Sequence, residues 1–180
     1  MVQLIELLEN RSVAKLLVFF IRQPTLQIHQ QNIRKKTKIS KVTLIKWLNF
    51  LVENKILNLL KFGRTKVYSL NRENTVVKQL KLLDNILLLS GVGELAVKHN
   101  VKVFLYGSFA RGEDVETSDV DVLIIGKIKV EDIIKDIKKI SEEIKMEINI
   151  KVFSPMQFAE LSRTDRPFYE RFEKDKIELK

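Results

Sequence analysis

From Ser12 to Arg22 apolar residues fall at Val13, Leu16, Leu17 and Phe20, the three- and four-residue spacing of one helical face, and Pro24 closes the segment. The pattern next predicts a short helix from His29 to Lys36 with Ile33 turned inward. A longer helix follows from Ser40, its N-cap, to Glu53. There Val42, Ile45, Leu48 and Val52 form the expected inner stripe, which leaves Lys41, Thr43, Lys46 and Asn49 on the outer side. Ile56 to Phe62 and Lys66 to Leu70 read as strands joined by a Gly63-Arg64-Thr65 turn.

Two helices joined by a short turn and followed by a basic hairpin have the layout of a winged helix-turn-helix, with Ser40 to Glu53 as its recognition helix. Asn71-Arg72-Glu73-Asn74 is a polar break. Beyond it, Val76 to Leu89 is apolar enough for a buried or interface helix, and Gly91 and Gly93 are expected to end or bend it. Strand and helix patterns then alternate. Val101 to Tyr106 and Asp119 to Ile125 read as strands, and Ile133, Ile134, Ile137, Ile140 and Ile144 share a helical face. Met146 to Phe153 returns to strand alternation, and Ser154-Pro155 opens another helix. Phe168, Tyr169 and Phe172 form a cluster expected to close the second half. The expected domains are 1–73, a winged helix-turn-helix, and 74–180, a mixed sheet covered by helices together with its connecting helix.

Charge sharpens that division. Residues 1–73 carry 14 Lys and Arg against 4 Asp and Glu, whereas residues 74–180 carry 18 against 19, so nearly all of the +9 net charge is N-terminal. A phosphate-rich partner for the first half follows, and duplex DNA fits the predicted layout. Lys41, Thr43 and Lys46 would face the major groove, and Arg64 and Lys66 on the hairpin would reach the backbone. Trp47, beside Leu48 and Phe50, reads as core. With no cysteine, disulfides and thiolate metal sites are excluded, and His29 and His99 have no constellation around them. Any metal must therefore sit on oxygen ligands. The apolar runs fall short of the roughly 20 residues that span a bilayer, which leads to the expectation of a cytoplasmic protein without a membrane partner.

The chemistry concentrates in Tyr106-Gly107-Ser108-Phe109-Ala110-Arg111-Gly112 and in Thr117-Ser118-Asp119-Val120-Asp121. A strand that ends in Gly107-Ser108 offers backbone N–H groups and a hydroxyl where a polyphosphate can approach unobstructed. Asp119 and Asp121 stand two apart on a predicted strand, so both carboxylates project from one face and can share divalent cations with phosphate oxygens. Without a cation they would repel one another.

At these residues the chain resembles the nucleotidyltransferase superfamily that includes DNA polymerase beta, in its minimal form. The family pattern is Gly-Ser, a spacer rich in Arg and Gly, then Asp-x-Asp leading into apolar residues. Gly107-Ser108, Arg111-Gly112 and Asp119-Val120-Asp121 match it. More narrowly the chain is similar to prokaryotic proteins that fuse a winged helix to such a domain. That likeness rests on Val67-Tyr68-Ser69-Leu70-Asn71, on Glu147-Ile148-Asn149 ahead of Val152-Phe153-Ser154-Pro155, and on Arg166-Pro167-Phe168. The implied fold class is α+β, an N-terminal winged helix-turn-helix followed by a nucleotidyltransferase-fold mixed sheet with flanking helices.

The resemblance implies transfer of a nucleoside monophosphate from a nucleoside triphosphate to an acceptor hydroxyl, with up to two Mg2+ ions as cofactors. Asp119 and Asp121 would be catalytic and metal-ligating, while Gly107, Ser108 and Arg111 would bind the nucleotide. One position departs from the pattern. A third carboxylate is expected on the next strand, where Asn149 stands instead, and an amide cannot accept the acceptor's proton. Glu147, two residues earlier on the same strand face, is the candidate substitute. An alternative reading therefore stays open, in which the chain is a catalytically weak or inactive nucleotide-binding transcriptional regulator, or an antitoxin-like partner of another protein. A homodimer through the helix before Gly91 is compatible with either.

Overall fold

The computed structural model describes residues 4–180, which divide into two units, the first running to Lys81 and the second from Leu82 to Lys180. The first unit opens with α1 (Leu4–Leu8) and α2 (Arg11–Ile21). Helix α2 is capped by Asn10, whose Oδ1 accepts from Ser12 N–H at 2.9 Å, and its Val13, Leu16, Leu17 and Phe20 are buried as the spacing predicts. A two-residue strand, β1 (Ile28–His29), leads into α3 (Gln30–Thr37), where Ile33 is fully enclosed. Helix α4 (Lys41–Glu53) starts at Ser40, whose Oγ accepts from Thr43 N–H at 3.3 Å.

The inner face of α4 differs from the expected one. Leu44, Leu48 and Leu51 are buried, and Val42 is 81% exposed. Leu44-Leu48-Leu51 is also a three- and four-residue stripe, and it fits the pocket left by α2 because the two helices pack directly. Strands β2 (Leu57–Phe62) and β3 (Thr65–Leu70) form a hairpin whose loop is only Gly63-Arg64, with Gly63 at φ +58° and Thr65 already paired to Phe62. The sheet order is β1-β3-β2, all antiparallel.

Helix α5 (Thr75–Leu88) follows the polar break, where the Asn71 and Asn74 side-chain amides both donate to the Lys55 carbonyl. The division between the units falls inside α5. Helix α5 ends at Leu88, close to where Gly91 and Gly93 are expected to end it, and the two glycines themselves lie in the first turn of the next helix, α6 (Ser90–His99). Gly93 is there for clearance: a Cβ would come within 3.0 Å of the Lys180 carbonyl oxygen.

The remaining elements are β4 (Lys102–Tyr106), α7 (Gly107–Arg111), β5 (Val120–Ile125), α8 (Val130–Ile144), β6 (Ile148–Phe153), α9 (Pro155–Thr164), α10 (Arg166–Asp175) and β7 (Ile177–Leu179). Their sheet runs β6-β5-β4-β7, with β5 and β6 parallel and the other pairs antiparallel. Alternation sorts the strand residues onto two faces. Val103, Leu105, Val120, Val122, Ile124 and Ile148 pack with α6 and α8. Phe104 and Leu123 pack with Phe168 and Phe172 of α10 and with Phe158 and Leu161 of α9. Phe104, Leu123, Phe168 and Phe172 are buried there, each contributing about 1.5–3 kcal/mol on removal from water.

Candidate functional site

Strand register builds the site. Tyr106, the last residue of β4, pairs with Asp121 on β5, and Asp121 pairs in turn with Asn149 on β6. All three lie on the sheet face that α9 and α10 cover, at the edge of the aromatic cluster. Chain leaving β4 turns at Gly107, φ +75°, directly into α7. A Cβ on Gly107 would lie 2.6 Å from Asp121 Oδ2, so the turn and the carboxylate are in contact, and any side chain at this left-handed backbone position, which favours glycine, would displace the carboxylate. The two halves of the sequence motif therefore converge on one place.

A cavity of about 540 Å³ opens where they meet. Gly107, Ser108, Arg111 and Asp121 line it, joined by Tyr106, Lys151, Phe168, Arg171, Phe172 and Asp175. Asp119 sits one residue before β5 and is exposed. Its Oδ2 accepts from Asn149 Nδ2 at 3.3 Å. Burial, and then the Asp119 charge, push the Asp121 carboxyl above its ordinary value, while Lys151 and Arg111 pull it back. Burial, with a smaller contribution from Asp121, pushes the Tyr106 hydroxyl up to about 12, so it remains a hydrogen-bond donor near neutral pH.

Arg111 is engaged rather than free: its Nε donates to Glu113 at 2.9 Å and its Nη1 to Asp175 at 2.5 Å. Glu147 is exposed just ahead of β6, where its carbonyl accepts from Val120 N–H at 2.9 Å. Among the described residues no group of three or more His, Asp or Glu side chains comes together to hold a metal ion. Asp119 and Asp121 are nonetheless a fitting donor pair for a hard divalent cation, since a positive ion offsets both the mutual repulsion and the burial that disfavours the Asp121 charge.

Sequence reasoning passed over Lys151, Arg171 and Asn85. Lys151 is two positions beyond Asn149 on the same strand face, a spacing that was available to find it. Asn85, on α5, acts from beneath: its Nδ2 donates to the Phe109 carbonyl at 3.0 Å and to Asp114 Oδ1 at 2.8 Å, both inside the protein. That pins α7, and with it the Gly107-Ser108 turn. Nothing in the local pattern distinguishes a buried Asn in a Leu-rich helix from an exposed one. His99, remote from the site, pairs with Asp136 at 2.9 Å, as does Lys98 at 2.7 Å.

In the first unit a concavity of about 550 Å³ is lined by Lys41, Arg64, Thr65 and Lys66 together with His29, Gln30 and Gln31. A neighbouring one brings Arg34, Lys35 and Lys38 beside Lys41. Lys41, Arg64 and Lys66 are thus gathered as the sequence suggests, and the start of α3 joins them. Thr43 and Lys46 are outside both. Thr43 Oγ1 accepts from Ser40 Oγ at 2.8 Å, and Lys46 Nζ lies 4.7 Å above the Trp47 ring. Trp47 itself packs against the core. No described helix is long and apolar enough to cross a membrane.

Comparison with known proteins yields a family model described as "Nucleotidyltransferase domain", which matches residues 88–178. No curated protein matches the chain.

Proposed function

Since the chain belongs to the nucleotidyltransferase domain family, whose match covers just over half of its 180 residues, we propose that it transfers a nucleoside monophosphate from a nucleoside triphosphate to an acceptor hydroxyl, with pyrophosphate as the leaving group. The contact between the Gly107 turn and the Asp121 carboxylate carries this reading, because it joins a phosphate-accepting bend to a cation-binding acid. Ser108 and the backbone of the turn bind the outer phosphates, and Arg111 keeps the turn's far end fixed through Asp175 and Glu113 while facing the same cavity. Asp119 and Asp121 hold Mg2+, which when bound neutralises phosphate charge and polarises the phosphorus toward attack. Phe168 and Phe172 keep water from one wall. Glu147, beside the start of β5, accepts the proton of the acceptor hydroxyl.

For the first unit we propose a winged helix-turn-helix bound to duplex DNA. The order α2, β1, α3, α4, β2, β3 and the basic concavity at Lys41, Arg64 and Lys66 support it, with Lys46 exposed and Thr43 partly exposed on α4. A second reading, nucleotide binding without turnover in a transcriptional regulator or in a protein that partners another, is favoured by one observation. The neutral Asn149 stands in register with Asp121, where a third acid would complete the site.

Incubation with α-phosphate-labelled triphosphate and Mg2+ separates the two. Transfer predicts label in an acceptor, abolished by Asp119→Ala and by Asp121→Ala. Equal labelling in the wild type and both variants rejects the assignment of the site, and nucleotide binding without label in any of them selects the regulator.

A further inference from the structure

The charges around the acidic pair do not match a site made for two divalent cations. Asn149 presents an amide N–H to Asp119 at 3.3 Å, a donor where a third anionic oxygen would stand. Two residues along β6, on the same face, Lys151 adds a full positive charge. Relative to a carboxylate at position 149 and a neutral residue at 151, the pair Asn149 and Lys151 adds two positive units on this stretch of β6, the charge of one divalent cation. The lysine is also held in position. Its Nζ lies 4.2 Å above the Phe168 ring, and it lines the cavity with Gly107, Ser108 and Asp121. Among the described residues no carboxylate makes an ion pair with it, whereas Arg111 is committed to Glu113 and Asp175.

We propose that this site takes a single divalent cation with its triphosphate, and that the Lys151 ammonium contacts the phosphates where a second cation would otherwise be needed. The inference rests on the nucleotide-binding reading above and adds the cation count and the residue that completes the charge balance. A lysine suits the task as a compact point charge on a flexible stem, able to follow phosphate oxygens without the planar fork of arginine.

The test is equilibrium binding of a non-hydrolysable nucleoside triphosphate and of the matching monophosphate, with Mn2+ as the cation and its free concentration read by electron paramagnetic resonance. For the wild type the expected result is one bound Mn2+ per nucleotide-loaded chain, counting the ion that enters with the triphosphate. Lys151→Met should weaken triphosphate binding by about tenfold or more, as expected on removing one charge-assisted hydrogen bond, while monophosphate binding changes by less than about twofold. Lys151→Arg should keep triphosphate affinity within roughly threefold. Because Lys151 is exposed, Lys151→Met is expected to fold, and its thermal midpoint verifies that. Two Mn2+ per wild-type chain, or unchanged triphosphate affinity in Lys151→Met, overturns the proposal alone. A wild type that binds no triphosphate overturns the nucleotide-binding reading and this proposal with it.

Discussion

Replacing Gly107 by alanine should damage the protein in two separable ways. A residue with a side chain at φ +75° sits in the left-handed region, which costs about 1–2 kcal/mol. The added Cβ would also be 2.6 Å from Asp121 Oδ2, well inside ordinary contact, so the carboxylate must rotate or the turn must open. Forcing a packed side chain from its rotamer adds about 1–3 kcal/mol, for a total of about 2–5 kcal/mol. Gly63→Ala is the control. Its φ of +58° imposes the same backbone penalty, and nothing lies within 4 Å of the new Cβ, so only the first cost applies. Urea denaturation of both variants gives the difference, and a Mn2+ titration reports whether displacement of Asp121 weakens cation binding. Equal destabilisation of the two variants, with Mn2+ affinity unchanged in Gly107→Ala, would refute the contact on which the site is built.

Other substitutions probe the surroundings. Asp121→Asn should raise the thermal midpoint of the cation-free protein near neutral pH while abolishing stabilisation by Mg2+. Its carboxyl is raised in the fold, so stability present below the ordinary carboxyl range is lost as pH rises through the folded value, and the variant's advantage should vanish toward low pH in a melting series. Asn85→Ala leaves a buried Asp114 oxygen and the Phe109 carbonyl without this donor, and should cost about 1–3 kcal/mol in denaturant titrations with reduced triphosphate affinity. Neutralising Lys41, Arg64 and Lys66 together should flatten the dependence of log K on log salt for duplex DNA by about 0.9 for each phosphate that the protein no longer neutralises. An unaltered slope would remove these residues from the interface.

Periodicity made much of the fold legible. The helical stripe of α2, the Ser40 cap, the Gly63 hairpin and the Pro155 start of α9 are all local signals, set by neighbours within a few residues. What was misread depended on distant chain. The phase of α4 is decided by the surface of α2, since two overlapping stripes run along the same helix. Gly91 and Gly93 do follow the end of α5, but the local pattern does not show that they start α6 or that Gly93 makes room for the Lys180 backbone. Strands β1 and β7, of two and three residues, are too short to alternate visibly and exist because β3 and β4 offer free edges. At the candidate site, the Gly107-Ser108 turn and the two-residue step from Asp119 to Asp121 are local signals, and of these Gly107, Ser108 and Asp121 line the cavity while Asp119 lies just ahead of β5 outside that lining. Lys151 carried the same signal, whereas Asn85 reaches α7 through tertiary packing that no spacing encodes.

A crystal of the chain grown with Mg2+ and a non-hydrolysable nucleoside triphosphate shows whether the Gly107 turn and the two aspartates share one ligand. The expected density is a cation touching carboxylate oxygens of Asp119 and Asp121, with the outer phosphates against Gly107 and Ser108. Phosphates bound elsewhere, or a triphosphate at the turn with no cation on either aspartate, would contradict it.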